Sequence, residues 1–206
     1  AMPDSAFHFT VAQILDGSIT PIDAVDEAAY LEEWTKAAAP LPTPLAMAIT
    51  GGAIADRLAW VFVTGYQAAN RRVFPELPVD GWAGYLVSED RKGELPGVTA
   101  EPNDGGFVLN GHKTWVAASD HVQHLVVSVG KGDERRFFFV DRNTEGVAIV
   151  SYDRASYLGD MSQGRATFEG VAVAPSNVVT DHAFGNAEPL YVLTAAAAFI
   201  LSHTRS

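Results

Sequence analysis

"GGFVLNGHKTWVAAS", residues 105–119, is the stretch on which the reading of this chain turns. It reads as two strands around a tight turn, because Asn-Gly flanked by alternating apolar residues is a strong short-range hairpin signal. The second strand carries the largest side chain of the stretch, Trp115, and then runs into Ala117, Ala118 and Ser119, which fill almost nothing. An aromatic wall beside small residues leaves a shallow bay, and a flat object lying against the strand would fill it.

The period of two extends on both sides. After Asp80 come "GWAGYLVSE", "GVTAE", "HVQHLVVSVG", "RRFFFVD", "GVAIVSYD" and "RATFEGVAVAP", short and rich in β-branched or aromatic residues. They are punctuated by "NDGG", "NG", "GKGDE" and "RNTEG", which read as turns. With no helix between them the strands must pair mainly antiparallel, as a barrel or a two-layer sandwich.

Towards the N-terminus the period becomes helical. From Thr20 to about Ala39, a capping threonine, a proline at the first helical position and an acid at the third precede Ile22, Val25 and Ala29 on one face. "PLPTP" at 40–44 ends that helix. A second helical stretch follows Thr43, with Gly51 and Gly52 expected to weaken or interrupt it by roughly 1 kcal/mol each relative to alanine. Beyond them Ile54, Leu58, Phe62, Tyr66 and Ala69 recur at helical spacing, Arg71 and Arg72 suit a helix C-terminus, and Pro75 and Pro78 close the run. From about Asn186 the chain turns helical again. The expected class is α+β: N-terminal helices over 1–80, an antiparallel β-barrel or sandwich over 81–185, and one C-terminal helix over 186–206.

Composition excludes several functions. At 206 residues the chain holds one domain or two small ones, and 48% hydrophobic residues suffice for a core. The absence of cysteine removes disulfides and thiolate chemistry and fits a reducing compartment, so the cytoplasm is the default location. A formal charge of -11, with no basic cluster longer than a pair, argues against nucleic acid. The apolar run at 190–201 is too short to span a bilayer, and the opening lacks the regions of a secretory signal, so no membrane association is expected. No metal site is expected: His121 and His124 stand three apart on a strand and point to opposite faces. Ser119, Asp120 and His121 are adjacent, which hinders a nucleophile relay, since triads are assembled across space.

The order of elements is more specific than any one of them. "DGGFVLNGHKTWVAASDHVQHLVV", then "RFFFVDRNTEGVAI", "YLGDMSQGRATFEGVAVAPSNVV" and "FG", resembles the middle β-domain of the acyl-CoA dehydrogenase family over residues 81–185. The resemblance implies a flavoprotein that binds FAD and an acyl-CoA thioester, removes the α-proton and passes the β-hydride to the flavin. It implies a shortened N-terminal helical domain before the β-domain. The flavin would lie against the β-domain, with Trp115 covering its edge and Ala117 letting the ring approach the backbone. The family strand of the form aromatic, x, Val, Thr/Ser, Glu is matched by "YLVSE", so the resemblance assigns flavin contacts to Tyr85, Val87 and Ser88.

Three departures stand beside these matches. Where the family has Pro-Gly-Ala-Gly-Ser this chain has "DRKGE", with Glu94 at the substrate-facing serine position. A carboxylate there disfavours an anionic ligand unless Arg91 or Lys92 neutralises it, and the three are otherwise a solvated loop. Ala117 stands where the family usually has a threonine, a lost neutral hydrogen bond worth about 0.5–1.5 kcal/mol. The family's catalytic glutamate lies in a C-terminal helical domain represented here by one helix, and Glu188 comes too early in that helix to be its equivalent, so no catalytic residue is assigned. Two classes follow: an oxidoreductase complete only with further helices or a partner subunit, and a non-catalytic acyl- or flavin-binding scaffold. The apolar face of "LYVLTAAAAFIL" is expected to make the protein a homo-oligomer or to dock a complementary helical subunit.

Overall fold

The computed structural model describes residues 5–153, 158–179 and 183–204, so Tyr157 of the "YLGD" match lies outside the described residues. The chain divides into two compact units: Ala1–Asp80 with Leu158–Met161 and Ala183–Ser206, and Gly81–Tyr157 with Ser162–His182.

The first unit is helical: α1 (Ser5–Asp16), α2 (Glu27–Ala37), α3 (Pro44–Ile54), α4 (Leu58–Val73) and α5 (Phe184–Thr204). The sequence reading has no counterpart of α1, whose first turn lacks an acid and whose last turn lacks a basic residue. The helix expected from Thr20 starts instead at Glu27. There the Asp26 carboxylate accepts the Ala29 N–H at 2.8 Å, a cap worth about 1 kcal/mol that outcompetes the Thr20-Pro21 signal. Thr43 caps α3 through the Ala46 N–H at 3.2 Å with Pro44 behind it.

Gly51 and Gly52 do not interrupt α3. The break falls at Ala55–Arg57, and the glycines serve close packing. A Cβ at Gly51 would sit 1.9 Å from Thr64 Oγ1, one at Gly52 2.3 Å from the Ala195 carbonyl oxygen, and one at Gly65 2.5 Å from Val192 Cα. α5 therefore lies backbone-close along α3 and α4. Around them Tyr30 stacks on Trp60 at 5.2 Å between centroids, and the Trp34 indole N–H donates to Thr64 Oγ1 at 3.1 Å. The 21 residues of α5 are long and apolar enough by length and composition to cross a bilayer; one side of the helix packs on α3 and α4, and Leu190, Leu193 and Ile200 on it stay exposed.

Among the described residues the second unit holds eight strands: β1 (Trp82–Leu86), β2 (Thr99–Asn103), β3 (Gly106–Ala117), β4 (Val122–Val129), β5 (Arg136–Asp141), β6 (Val147–Ser151), β7 (Gln163–Val173) and β8 (Val178–Val179). They form two four-stranded sheets, β1-β4-β5-β8 and β2-β3-β7-β6. One core lies between them, built by Leu86, Leu125, Val127 and Phe138 from the first and Leu109, Val116, Ala166 and Phe168 from the second. The antiparallel sandwich form of the expectation holds, with one parallel pair, β1 with β4.

In the β-unit too a local reading is overturned. Asn110–Gly111 is not a hairpin turn: β3 runs through it, and the turn lies at "NDGG", joining β2 to β3. At Gly111 the ladder to β7 shifts register, a bulge with φ of 125° where a Cβ would meet the Gly97 carbonyl oxygen at 2.3 Å. Asn110 turns its side chain to accept the Gly170 N–H at 2.8 Å. The dipeptide chemistry is the same, glycine at positive φ beside a hydrogen-bonding asparagine, but the strand bends there and does not reverse.

Candidate functional site

The segments singled out from sequence meet at one end of the β-unit. Thr114 donates its N–H to the Ser88 carbonyl at 2.9 Å, so the loop leaving β1 and the Trp115 stretch of β3 are neighbours. Val87 is exposed and Ser88 half-buried, which leaves that loop accessible. Tyr85 is otherwise: its ring is buried and stacks on Phe137 at 5.6 Å, so its side chain serves the β-unit itself and only its main chain is left for a ligand.

Trp115 is half-buried, and its indole N–H donates to Gln163 Oε1 at 3.2 Å. Gln163, itself buried, opens β7 in register with Ala117. Tyr152, 44% exposed, donates its hydroxyl to the Thr114 carbonyl at 2.6 Å. Trp115 thus presents a partly open ring whose neighbours on both sides are held by hydrogen bonds.

The small residues do not form an open bay. Ala117, Ala118 and Ser119 are 3%, 1% and 0% exposed. Ala118 takes positive φ, 51°, in the turn that its carbonyl closes with the His121 and Val122 N–H groups. Ser119 Oγ lies 2.7 Å from Ser151 Oγ, and Ser151 donates to Asp120. Ala117 ends β3 and Ala118 and Ser119 enter the turn, with all three side chains enclosed by the protein itself. The accessible surface lies at Trp115, Val87 and Ser88.

Glu94 is exposed on a loop organised by another acid. The Asp90 carboxylate accepts the N–H groups of Lys92, Glu94 and Leu95 at 2.9, 2.8 and 3.0 Å. These bonds hold its pKa below the ordinary carboxylate value, the Lys92 N–H contributing most. Asp90 escaped the sequence reading, although Asp with Gly three residues on is the usual signature of such a turn.

Also missed was the pairing of Lys113 and Glu89, each of which lies within a matched motif. Lys113 Nζ, buried at 1% exposure, lies 2.6 Å from Glu89 Oε1. Burial pushes the Lys113 pKa down and Glu89 pulls it back up, the first effect being the larger. In the helical unit, burial raises the pKa of Glu188, on the first turns of α5, from its ordinary value.

Comparison with known proteins agrees with the fold. No family model matches the chain. Among solved structures, PigA with FAD and proline superimposes with a TM-score of 0.70 at 14% identity, over 99% of this chain and 68% of that one. Butyryl-CoA dehydrogenase from Megasphaera elsdenii gives 0.64 at 12% identity over 98% and 65%. A two-component assembly, the ChsE4-ChsE5 complex from Mycobacterium tuberculosis, gives 0.59 at 17% identity over 98% and 64%. The chain therefore has the acyl-CoA dehydrogenase-like fold that the order of its motifs resembles.

In sequence, a curated relative is benzylmalonyl-CoA dehydrogenase from Aromatoleum aromaticum, 26% identical over 108 residues. That match covers 50% of this chain and 29% of the relative, so the chain spans well under two thirds of the protein it matches.

Proposed function

We propose that this chain is the helical and β-sandwich portion of an acyl-CoA dehydrogenase-like flavoprotein, holding FAD against Val87, Ser88 and Trp115 for α,β-dehydrogenation of an acyl-CoA thioester. The observation that supports it is the junction of "YLVSE" and "KTWVA" through the Thr114–Ser88 hydrogen bond, beside a tryptophan that stays half open. Two groups that the motif resemblance assigns to one ligand are brought side by side. Bound there, FAD would supply the hydride acceptor. Accessibility at Val87, Ser88 and Trp115 supports the reading; Ala117, already covered, would contribute only its small volume, and the buried ring of Tyr85 speaks against a side-chain contact there.

This chain's residues would bind and orient, and proton removal falls to a base from further helices or a partner subunit. Losing such a base is worth roughly 10²–10⁴ in rate. The active form is accordingly a homo-oligomer or a pairing with a complementary helical subunit, and the cytoplasm is the location proposed. The direct test is the purified chain mixed with FAD. Bound flavin absorbance after desalting, with reduction of an electron-accepting dye by acyl-CoA once the missing helices are supplied, is the expected result. Colourless protein that ignores FAD would leave the second reading, a non-catalytic acyl-binding or scaffold subunit. What favours that reading is the Asp90-organised loop, which holds acidic Glu94 at the position the resemblance assigns to substrate, where a carboxylate opposes an enolate-like anion.

A further inference from the structure

We propose that the Lys113–Glu89 ion pair is a positioning clamp that sets the flavin-facing surface, a role that rests on the flavin reading above. The two candidate segments are joined at consecutive residues: Ser88 to Thr114 by a backbone hydrogen bond of 2.9 Å, and Glu89 to Lys113 by a charge-assisted contact of 2.6 Å. A third segment closes the clamp. A Cβ at Gly97 would lie 2.6 Å from Glu89 Oε2, so the carboxylate rests on that glycine, and Gly97 itself bridges to His112.

The clamp has a reason to exist. The β3–β7 ladder is irregular between Lys113 and Val116, so regular pairing does not fix Trp115 at the place where its orientation matters. The pair anchors that stretch from the opposite side, two residues before the indole. Core stability does not demand it, since a buried lysine is costly to desolvate and an apolar residue of similar length fills the same space as well. Glu89 is 35% exposed and re-solvates readily if its partner is removed, which makes the lysine removable without leaving a stranded charge. Lys113 and Glu89 touch no ligand in this account; they act through Trp115, Val87 and Ser88.

The test uses the full chain, Lys113→Met and the milder Glu89→Gln, titrated with FAD and followed by amide hydrogen exchange. The expected result is an FAD dissociation constant raised about tenfold or more in Lys113→Met and less in Glu89→Gln, where a hydrogen bond survives. Thermal midpoints should stay close to the parent while the Thr114 amide loses protection. Wild-type affinity in both variants overturns the clamp even though FAD still binds. If the parent chain binds no FAD, the flavin reading falls by itself and exchange decides the clamp: unchanged protection at Thr114 refutes it, and selective loss there upholds it.

Discussion

Ala117 shows how burial changes the meaning of a substitution. From motif alone, Ala117→Thr restores a flavin contact and should tighten FAD or leave it unchanged. At 3% exposure in register with Gln163, the same change adds two heavy atoms to an occupied place. Overpacking of this kind typically costs about 1–3 kcal/mol, so we expect a lower denaturant midpoint and no gain in FAD affinity. Unchanged stability with tighter binding would show that position 117 opens to ligand. Asp90 carries a second prediction at this scale. Its pKa is depressed in the folded protein, so its three hydrogen bonds persist as pH falls through the ordinary carboxylate range near ~4 and are lost only on further acidification. Amide exchange of Lys92 and Leu95 should rise only at that lower pH, and at every pH in Asp90→Ala. Exchange insensitive to both would remove Asp90 from the loop's architecture.

At the scale of elements, the sequence made most strands and helices legible, and the exceptions have physical causes. Asn110–Gly111 carries the local chemistry of a reversal, yet β7 offers a partner along the whole of β3, and pairing with it wins over the turn. α2 starts late because Asp26 offers a carboxylate cap where the proline signal offers none. Gly51 and Gly52 read as helix weakeners, because intrinsic propensity sees only the helix and not α4 and α5 against it. In the candidate site, Trp115, Val87 and Ser88 were legible from motif order. Gln163, Tyr152 and Asp90 were not, because their partners lie on other strands or in backbone N–H groups. Gly65→Ala tests the helix-packing account: its Cβ would press within 2.5 Å of the Val192 backbone, which cannot swing aside. We expect destabilisation by about 1–3 kcal/mol, with loss of protection in α5. Full retention of stability would mean that α5 does not lie that close to α4.

For the whole molecule the telling surface is α5. Leu190, Leu193 and Ile200 are 63%, 69% and 58% exposed, and with exposed Ala197 they recur at spacings of three and four, the seam of a helix that expects a partner. A sedimentation experiment should find self-association or capture of the complementary helices, abolished by Leu193→Glu. A wild-type monomer with α5 ordered would contradict it. Of the two, only the complementary helices would also bring the proton-removing group that the proposed chemistry requires.

The central claim is that FAD lies on the Trp115 surface, and an equilibrium titration of FAD into the parent chain and Trp115→Ala tests it most directly. Saturable binding by the parent, with shifted flavin absorbance and an affinity at least about tenfold weaker in the variant, is the predicted result. Equal affinity in the two proteins, or no binding by the parent, contradicts it.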